Sequence, residues 1–210
     1  FADDHTIVYD YTTAGADDLY RVDREGGDPV RLTSAPTMDW RAAPGAKPRE
    51  IVYLIDLAAV GTLDLDDAAQ VTHLLPGVLA SSIAYAGGAY YYTDTQEGTT
   101  IRRLAAGKDE LFLALPHDHQ PDGIVADPTG RRLGFATGSD GNVPRLCTVE
   151  LATKQLACDA VESDVARPGF SPDSDALYGN GRDGIVRHDL VTGADRLIAP
   201  GRSGAGGIAI

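Results

Sequence analysis

The sequence is poor in lysine, methionine and tryptophan, and it contains no long apolar run. Three of its 210 residues are lysine, and methionine and tryptophan occur once each. No stretch approaches the roughly 18 apolar residues that cross a bilayer as a helix, so we expect no membrane span. Helix-period apolar stripes are also scarce, whereas short runs that end in glycine, aspartate or proline turns are frequent. This pattern is typical of an all-β chain.

Positive charge is scarce as well. The 18 lysines and arginines face 31 aspartates and glutamates, which gives a formal net charge of −13. A nucleic-acid binder needs a basic surface to neutralise phosphates, so the composition argues against nucleic acids and anionic membranes as partners. Two interpretations of the charge stay open: it keeps the protein soluble, or it attracts a cation or a basic partner.

Internal repetition is the strongest feature that is present. A unit of four strand patterns, the first one short, returns about every 42 residues of the chain. The clearest pattern, the second of each unit, occurs at residues 7–9, 51–53, 90–92, 133–135 and 177–178. Four strands in that period indicate a propeller blade, which buries its faces only by packing on neighbouring blades.

We therefore predict an all-β, five-bladed β-propeller of four-stranded antiparallel blades, formed by residues 1–210 as one domain. The sequence of residues 206–210, continued into that of residues 1–9, matches the sequence of residues 169–178. The C-terminal strand is thus expected to pair with the N-terminal blade and close the ring, which removes exposed sheet edges. A fragment of a larger propeller is the alternative. The expected blades are 1–34 together with 204–210, 35–75, 76–115, 116–160 and 161–203.

Two segments resemble the TolB-like repeat family. Residues 18–33 read DLYRVDREGGDPVRLT, and residues 169–174 read GFSPDS, which is similar to the Ser-Pro-Asp-Gly turn of that family with Ser174 in place of glycine. The first, fourth and fifth blades carry the resemblance, and the third departs from it. The resemblance implies a propeller that is exported and that binds proteins or peptides, although a fold by itself does not determine function.

The mouth of the central channel is the expected binding site. Loops that enter the innermost strands should share one face with the turns between second and third strands, and a channel mouth is the default concave pocket. We therefore expect a ligand- or protein-binding module with an acidic loop face there, holding a protein, a peptide or a small molecule. Trp40 is either an aromatic anchor for the partner or a wedge between blades. The candidate binding residues are Asp39, Trp40, Arg41, Asp118, Asp164 and Arg167.

His117, His119 and Asp122 form the strongest local chemical motif. Histidines two residues apart on an extended segment point the same way, so with a nearby carboxylate they could ligate zinc or another divalent metal. They could also supply a general acid or base. The alternative function is thus an enzyme, namely a hydrolase, lyase or cyclase, with Arg41 or Arg167 holding an anionic group. A solvated polar loop is the other interpretation of the motif.

Motifs for a catalytic nucleophile or a phosphate-binding loop are absent from the sequence, which favours binding over catalysis. We expect no cofactor apart from a divalent metal at the histidine motif, and we expect a monomer.

The two cysteines predict a disulfide bond. Cys147 and Cys158 fall on neighbouring strands of the fourth blade, and a turn centred on residues 152–153 places them opposite each other. Cross-strand Cβ atoms lie about 4.5–5.5 Å apart, which approaches the spacing of a disulfide. The bond would indicate an oxidising compartment and therefore export. Two reduced, buried thiols are the alternative.

Overall fold

The computed structural model describes residues 5–13, 15–56, 58–67, 71–94, 96, 100–116, 121–138, 143–161, 166–181 and 183–200. Within these ranges the chain is built from strands, and no helix suited to crossing a membrane is found there. The strands are β1 Thr6–Thr13, β2 Ala16–Asp23, β3 Val30–Arg31, β4 Asp39–Pro44, β5 Glu50–Ile55, β6 Ala59–Asp64, β7 Val71–Pro76, β8 Ala80–Ala86, β9 Ala89–Asp94, β10 Thr100–Ala105, β11 Lys108–Ala114, β12 Asp122–Ala126, β13 Arg132–Thr137, β14 Arg145–Glu150, β15 Leu156–Ala160, β16 Ala166–Phe170, β17 Ala176–Gly181, β18 Gly184–Asp189 and β19 Asp195–Pro200.

Five antiparallel sheets of consecutive strands form the blades of a β-propeller. Blades 2 to 5 are β4–β7, β8–β11, β12–β15 and β16–β19, and blade 1 contains β1, β2 and β3. The predicted all-β, five-bladed propeller is confirmed. Among the described residues β1 is an edge strand, and residues 204–210, expected to complete blade 1, lie outside them.

In blades 4 and 5, the turn between the first two strands is held by a short polar side chain. In blade 4, Asp127 Oδ1 accepts the backbone N–H groups of Arg131 and Arg132 at 2.8 and 3.0 Å. In blade 5, Ser171 Oγ accepts the N–H of Ala176 at 2.9 Å. Each side chain satisfies backbone donors that the turn takes out of the sheet, which is how Asp and Ser favour turns.

The hydrophobic core of the described residues lies between blades. In β5, Ile51 and Tyr53 pack towards blade 1, whereas Val52 and Leu54 pack towards blade 3. This division follows from the alternation of side chains along a strand. Each of four clusters joins two successive blades, with members such as Leu19 and Ile51, Leu54 and Tyr92, Tyr91 and Phe135, and Leu146 and Leu177.

The predicted disulfide is present in blade 4. Cys147 of β14 and Cys158 of β15 are directly opposite in the sheet register, and their sulfur atoms are 2.09 Å apart. The bond links the buried third strand of the blade to its more exposed outer strand. It closes a segment of 11 residues around the β14–β15 turn.

The innermost strands of blades 2 to 5 share one irregularity. In each of β4, β8, β12 and β16, three residue steps oppose two on the neighbouring strand, which defines a β-bulge. The four bulges lie between Trp40 and Ala43, Ala80 and Ile83, Asp122 and Val125, and Ala166 and Gly169. A bulge bends the strand and redirects a side chain, and here it does so at the same position of every described inner strand.

Candidate functional site

A cavity of about 280 Å³ lies among the inner strands, at the centre of the ring. It is lined by the bulges of β4, β8, β12 and β16 and, from blade 1, by β1. Apolar atoms of these strands form much of the cavity wall. The polar and charged lining is contributed by Tyr9, Asp10, Arg41, Ser82 and Arg167.

Arginine occupies a strained backbone position at two of the bulges. The first bulge residue is left-handed in three inner strands, with φ angles of 55° at Arg41, 67° at Gly123 and 49° at Arg167. Glycine adopts this conformation without penalty, whereas another residue pays about 1 kcal/mol or more. Blade 4 therefore has the low-energy residue, and blades 2 and 5 have arginines that line the cavity.

Gly123 is required by space as well as by conformation. A Cβ atom at this position would lie 2.5 Å from the Cα atom of Arg167. The inner strands of blades 4 and 5 therefore touch backbone to backbone beside the cavity. This contact fixes the position of the Arg167 Cα atom, to which the side chain is attached.

Arg41 connects blades 2 and 4. Its Nη1 donates to Asp122 Oδ1 at 2.9 Å, and its guanidinium carbon lies 4.9 Å from the centre of the Trp40 ring. The Arg41 side chain is only 17% exposed. Its Nε–H is buried and has no acceptor among the described residues. A buried donor without an acceptor is costly, so a ligand with an acceptor oxygen would gain from binding there.

Asp39 and Trp40 have structural surroundings. Asp39 is 2% exposed and accepts a hydrogen bond from Thr37 Oγ1 at 3.1 Å. Burial raises the pKa of the Asp39 carboxyl above its ordinary value, and hydroxyl groups of Thr33 and Thr37 oppose that rise. Trp40 packs against the cluster between blades 2 and 3, which is the wedge arrangement. Asp39 is buried and Trp40 is half-buried, so both side chains are less accessible to a partner than their place at the end of a loop predicted.

The loop that enters β4 lies beside the turn that joins β5 and β6. The Met38 N–H donates to Asp56 Oδ1 at 2.6 Å, and the Asp56 N–H donates to the Met38 carbonyl at 2.8 Å. In blade 2, therefore, the two kinds of loop meet at the end of the ring where the bulge of β4 lies. We call this end the channel mouth.

The remaining candidate residues fall outside the described part of the chain. These are His117, Asp118, His119 and Asp164. Asp122, the third member of the proposed metal motif, is bound to Arg41. Within the described ranges, no group of three or more histidine, cysteine, aspartate or glutamate side chains is arranged to hold a metal ion. The metal motif and the acidic loops stay predictions.

Sequence reasoning missed Ser82 and Gly123. Ser82 Oγ accepts the backbone N–H of Ile124 at 3.1 Å and so joins the inner strands of blades 3 and 4 at the cavity. The signal that identifies Gly123 is its repeat position, which Arg41 and Arg167 occupy in other blades. These three residues occupy equivalent positions when the repeats are aligned by their bulges instead of by their strands.

Solved structures with a similar fold include TolB from Acinetobacter baumannii. Its TM-score is 0.74 and its identity is 16%, over 93% of this chain and 53% of that chain. A chain of a nidogen/laminin complex gives a TM-score of 0.72 at 13% identity, over 91% of this chain and 76% of its own. Oligogalacturonate lyase in complex with manganese gives 0.59 at 11%, over 95% and 75%. At such identities the likeness shows the fold alone, and this chain spans about half the length of the TolB chain.

No protein-family model matches the sequence. One curated protein, chalcone–flavanone isomerase from Saussurea medusa, is 34% identical over 86 residues. That match covers 40% of this chain and 34% of the isomerase, so this chain spans about a third of that relative and the match assigns no family. The resemblance to TolB-like propellers that the repeats indicated is thus confirmed at the level of the fold.

Proposed function

We propose that this protein is a binding module that holds a ligand at the mouth of its central channel. The observation that carries the proposal is the pair of arginines, Arg41 and Arg167, at left-handed bulge positions that line the cavity. Glycine is the less costly residue there, as blade 4 illustrates with Gly123. Side chains kept in strained backbone at a cavity point to recognition rather than to folding.

The chemistry of the site favours a ligand with acceptor groups. Arg41 has a buried Nε–H without an acceptor among the described residues, and its terminal nitrogen is already shared with Asp122. A carbonyl or carboxylate oxygen that reaches this guanidinium would satisfy the free donor. The acidic loops with Asp118 and Asp164 would extend the surface around the mouth.

A protein or peptide is the partner that the fold supports best. Propellers present rigid loop-bearing faces, and one structural neighbour is part of a nidogen/laminin complex. The likeness to TolB and the disulfide support export, because disulfides persist in oxidising compartments. The enzymatic alternative depends on His117 and His119, which lie outside the described residues.

Affinity capture with a strain-relieving variant tests the proposal. The immobilised protein and its Arg41→Gly/Arg167→Gly variant are exposed to the same extract, and the retained proteins are compared by quantitative mass spectrometry. We expect partners of the wild type to be lost from the variant. Its melting temperature should fall only modestly, because loss of the Arg41–Asp122 pair and of the contact with Trp40 is partly offset by relief of the strain. Charge reversal at Asp118, Asp122 and Asp164 should also weaken capture.

Arg24→Gln provides the control, because Arg24 is an exposed arginine that pairs with Glu25 away from the cavity. This variant should retain the same partners as the wild type. Identical capture by the wild type and the double glycine variant would show that the channel mouth is not the binding surface.

A further inference from the structure

A second cavity, of about 490 Å³, lies between blades 3 and 4. Gly87 of the β8–β9 turn and Gly130 of the β12–β13 turn line it, so it opens at the end of the ring opposite the channel mouth. A Cβ atom at Gly87 would lie 3.2 Å from the Gly130 carbonyl oxygen, which shows how closely the two turns approach. We call this cavity the 3–4 groove; its lining also contains Tyr91, Arg103, Phe112, Arg131, Glu150 and Lys154.

The floor of the 3–4 groove is aromatic. Phe112 is 6% exposed and packs edge-to-face with Tyr91, with ring centres 4.9 Å apart. The ammonium group of Lys154 lies 5.1 Å from the centre of the Phe112 ring. The groove therefore combines an apolar floor with a cation held above it.

Lys154 occupies a turn position that is glycine in blade 5. Its φ is 58°, and its N–H donates to the Glu150 carbonyl at 2.8 Å. In the equivalent turn of blade 5, Gly193 has a φ of 69° and donates to the Asp189 carbonyl at 2.9 Å. A lysine in this conformation costs about 1 kcal/mol relative to glycine, and the chain has only three lysines.

Two cations of the 3–4 groove lack a carboxylate partner. Arg103 is paired with Glu110 at 2.9 Å, whereas among the described residues the Arg131 guanidinium donates to Thr129 Oγ1 alone, at 3.1 Å. In the part of the chain that the structure describes, no carboxylate forms an ion pair with Arg131 or Lys154. Two carboxylates also line the groove, but Glu110 pairs with Arg103 and Lys108, and Glu150 pairs with Arg132. Arg131 and Lys154 are therefore the cations left for a ligand anion.

We propose that the 3–4 groove is a second binding site and that its ligand is a carboxylate attached to an apolar group. The carboxylate lies between Arg131 and Lys154, and the apolar group covers Phe112. The two cations favour a carboxylate, and the aromatic floor favours the apolar group to which the carboxylate is attached. This site is separate from the channel mouth and does not depend on the function proposed there.

The test uses 4-phenylbutyrate and its neutral amide, 4-phenylbutyramide, as matched probes. Binding to the intact protein is followed by chemical-shift changes of backbone amides during titration. We expect saturable binding of the acid at the 3–4 groove and about tenfold weaker binding of the amide, since a charge-assisted hydrogen bond contributes about 1.5–3 kcal/mol. A peptide ending in phenylalanine, free or amidated at its C-terminus, shows whether a chain end binds more tightly than the small acid.

Two variants locate the site, and one serves as the control. Lys154→Gly restores the residue of the equivalent turn, so it should keep its melting temperature while losing most of its affinity for the acid. Arg131→Gln should weaken the acid in the same direction. Lys47→Gln removes a positive charge from an exposed side chain elsewhere and should leave binding unchanged.

Three results would overturn the proposal. They are equal affinity for acid and amide, unchanged affinity in Lys154→Gly, and the lack of saturable shifts in groove residues at millimolar acid.

Discussion

Gly123 and Gly77 have similar left-handed backbones but different surroundings. Their φ angles are 67° and 75°, yet a Cβ atom at Gly77 would meet nothing within 4 Å. We expect Gly77→Ala to cost only the conformational strain, about 1 kcal/mol. Gly123→Ala adds the collision with the Arg167 backbone, so its cost should be about 2–4 kcal/mol. Urea denaturation of both variants measures the difference, and equal costs would show that the inner strands can separate freely.

Asp127 links the charge of one carboxyl group to the stability of blade 4. Burial alone would raise its pKa, but the backbone N–H groups of Arg131 and Arg132 and the Thr129 hydroxyl lower the pKa below the ordinary 3.8. The folded state therefore binds its proton less readily than the unfolded chain. The stabilisation is complete above about pH 4 and is lost as the pH falls through the folded pKa.

Asp127→Asn should accordingly cost about 1–2 kcal/mol at neutral pH. The difference from the wild type should shrink progressively below pH 4, because the Asp127 carboxyl group of the wild type then becomes protonated in the unfolded chain and, at lower pH, in the folded protein. Denaturation curves at a series of pH values test this, with Asp28→Asn, an exposed site, as the control for removing one negative charge. A difference that is constant with pH would contradict the assignment.

At the scale of a blade, the disulfide holds the outer strand β15 to β14. Cys147 and Cys158 are 11 residues apart in sequence, and closing a loop of that length stabilises a fold by about 3 kcal/mol in the chain-entropy model. A reducing agent should lower the denaturation midpoint of the wild type by a corresponding amount. The Cys147→Ala/Cys158→Ala variant should start from the lower midpoint and be insensitive to the reductant. Insensitivity of the wild type would mean that the sheet register alone holds β15.

Regular strands were predictable from the sequence, and irregular ones were not. Residues 51–53 and 90–92 lie in β5 and β9 because their alternating apolar side chains are buried on both faces, a pattern that the repeat shows five times. The pairing of Cys147 with Cys158 followed from counting outward from a turn. The bulges could not be foreseen, since an extra residue leaves the strand pattern unchanged and appears only as a shift of register.

Contacts between blades were beyond sequence reasoning as well. Arg41 and Asp122 are 81 residues apart, and only the packing of the inner strands around the cavity brings them to 2.9 Å. Asp39 is a polar loop-end residue, yet Thr37 satisfies it in a buried position. The left-handed backbone that Lys154 shares with Gly193 leaves no mark in the sequence pattern. Each of these features depends on the folded geometry and not on the local sequence pattern.

At the scale of the whole molecule, the ring requires a partner for β1. Among the described residues β1 pairs only with β2, whereas every other blade has one more strand on the channel side. We infer that residues 206–210 provide that strand, as the repeat predicts. Burial of Ile208 or Ile210 against the ring would contribute about 1.5–3 kcal/mol for each side chain.

Deletion of residues 204–210 should therefore lower the free energy of unfolding by about 2 kcal/mol or more. The free edge of β1 should also promote association, because unpaired strand edges recruit other strands. Chemical denaturation and sedimentation velocity at several concentrations measure the two effects. A truncated protein that is monomeric and as stable as the full chain would contradict ring closure by this strand.

The shared bulge has an evolutionary consequence. Because four inner strands keep the same bulge register with different residues at the bulge, side chains that face the channel can be exchanged without rebuilding a blade, except where a neighbouring strand lies as close as it does at Gly123. Recognition can then drift while the scaffold is inherited unchanged. Neighbours superpose on this chain at identities of 11–16%, so the same fold accommodates very different sequences. Proteins of this fold need not share a ligand, because a handful of channel-lining residues determine which ligand each one recognises.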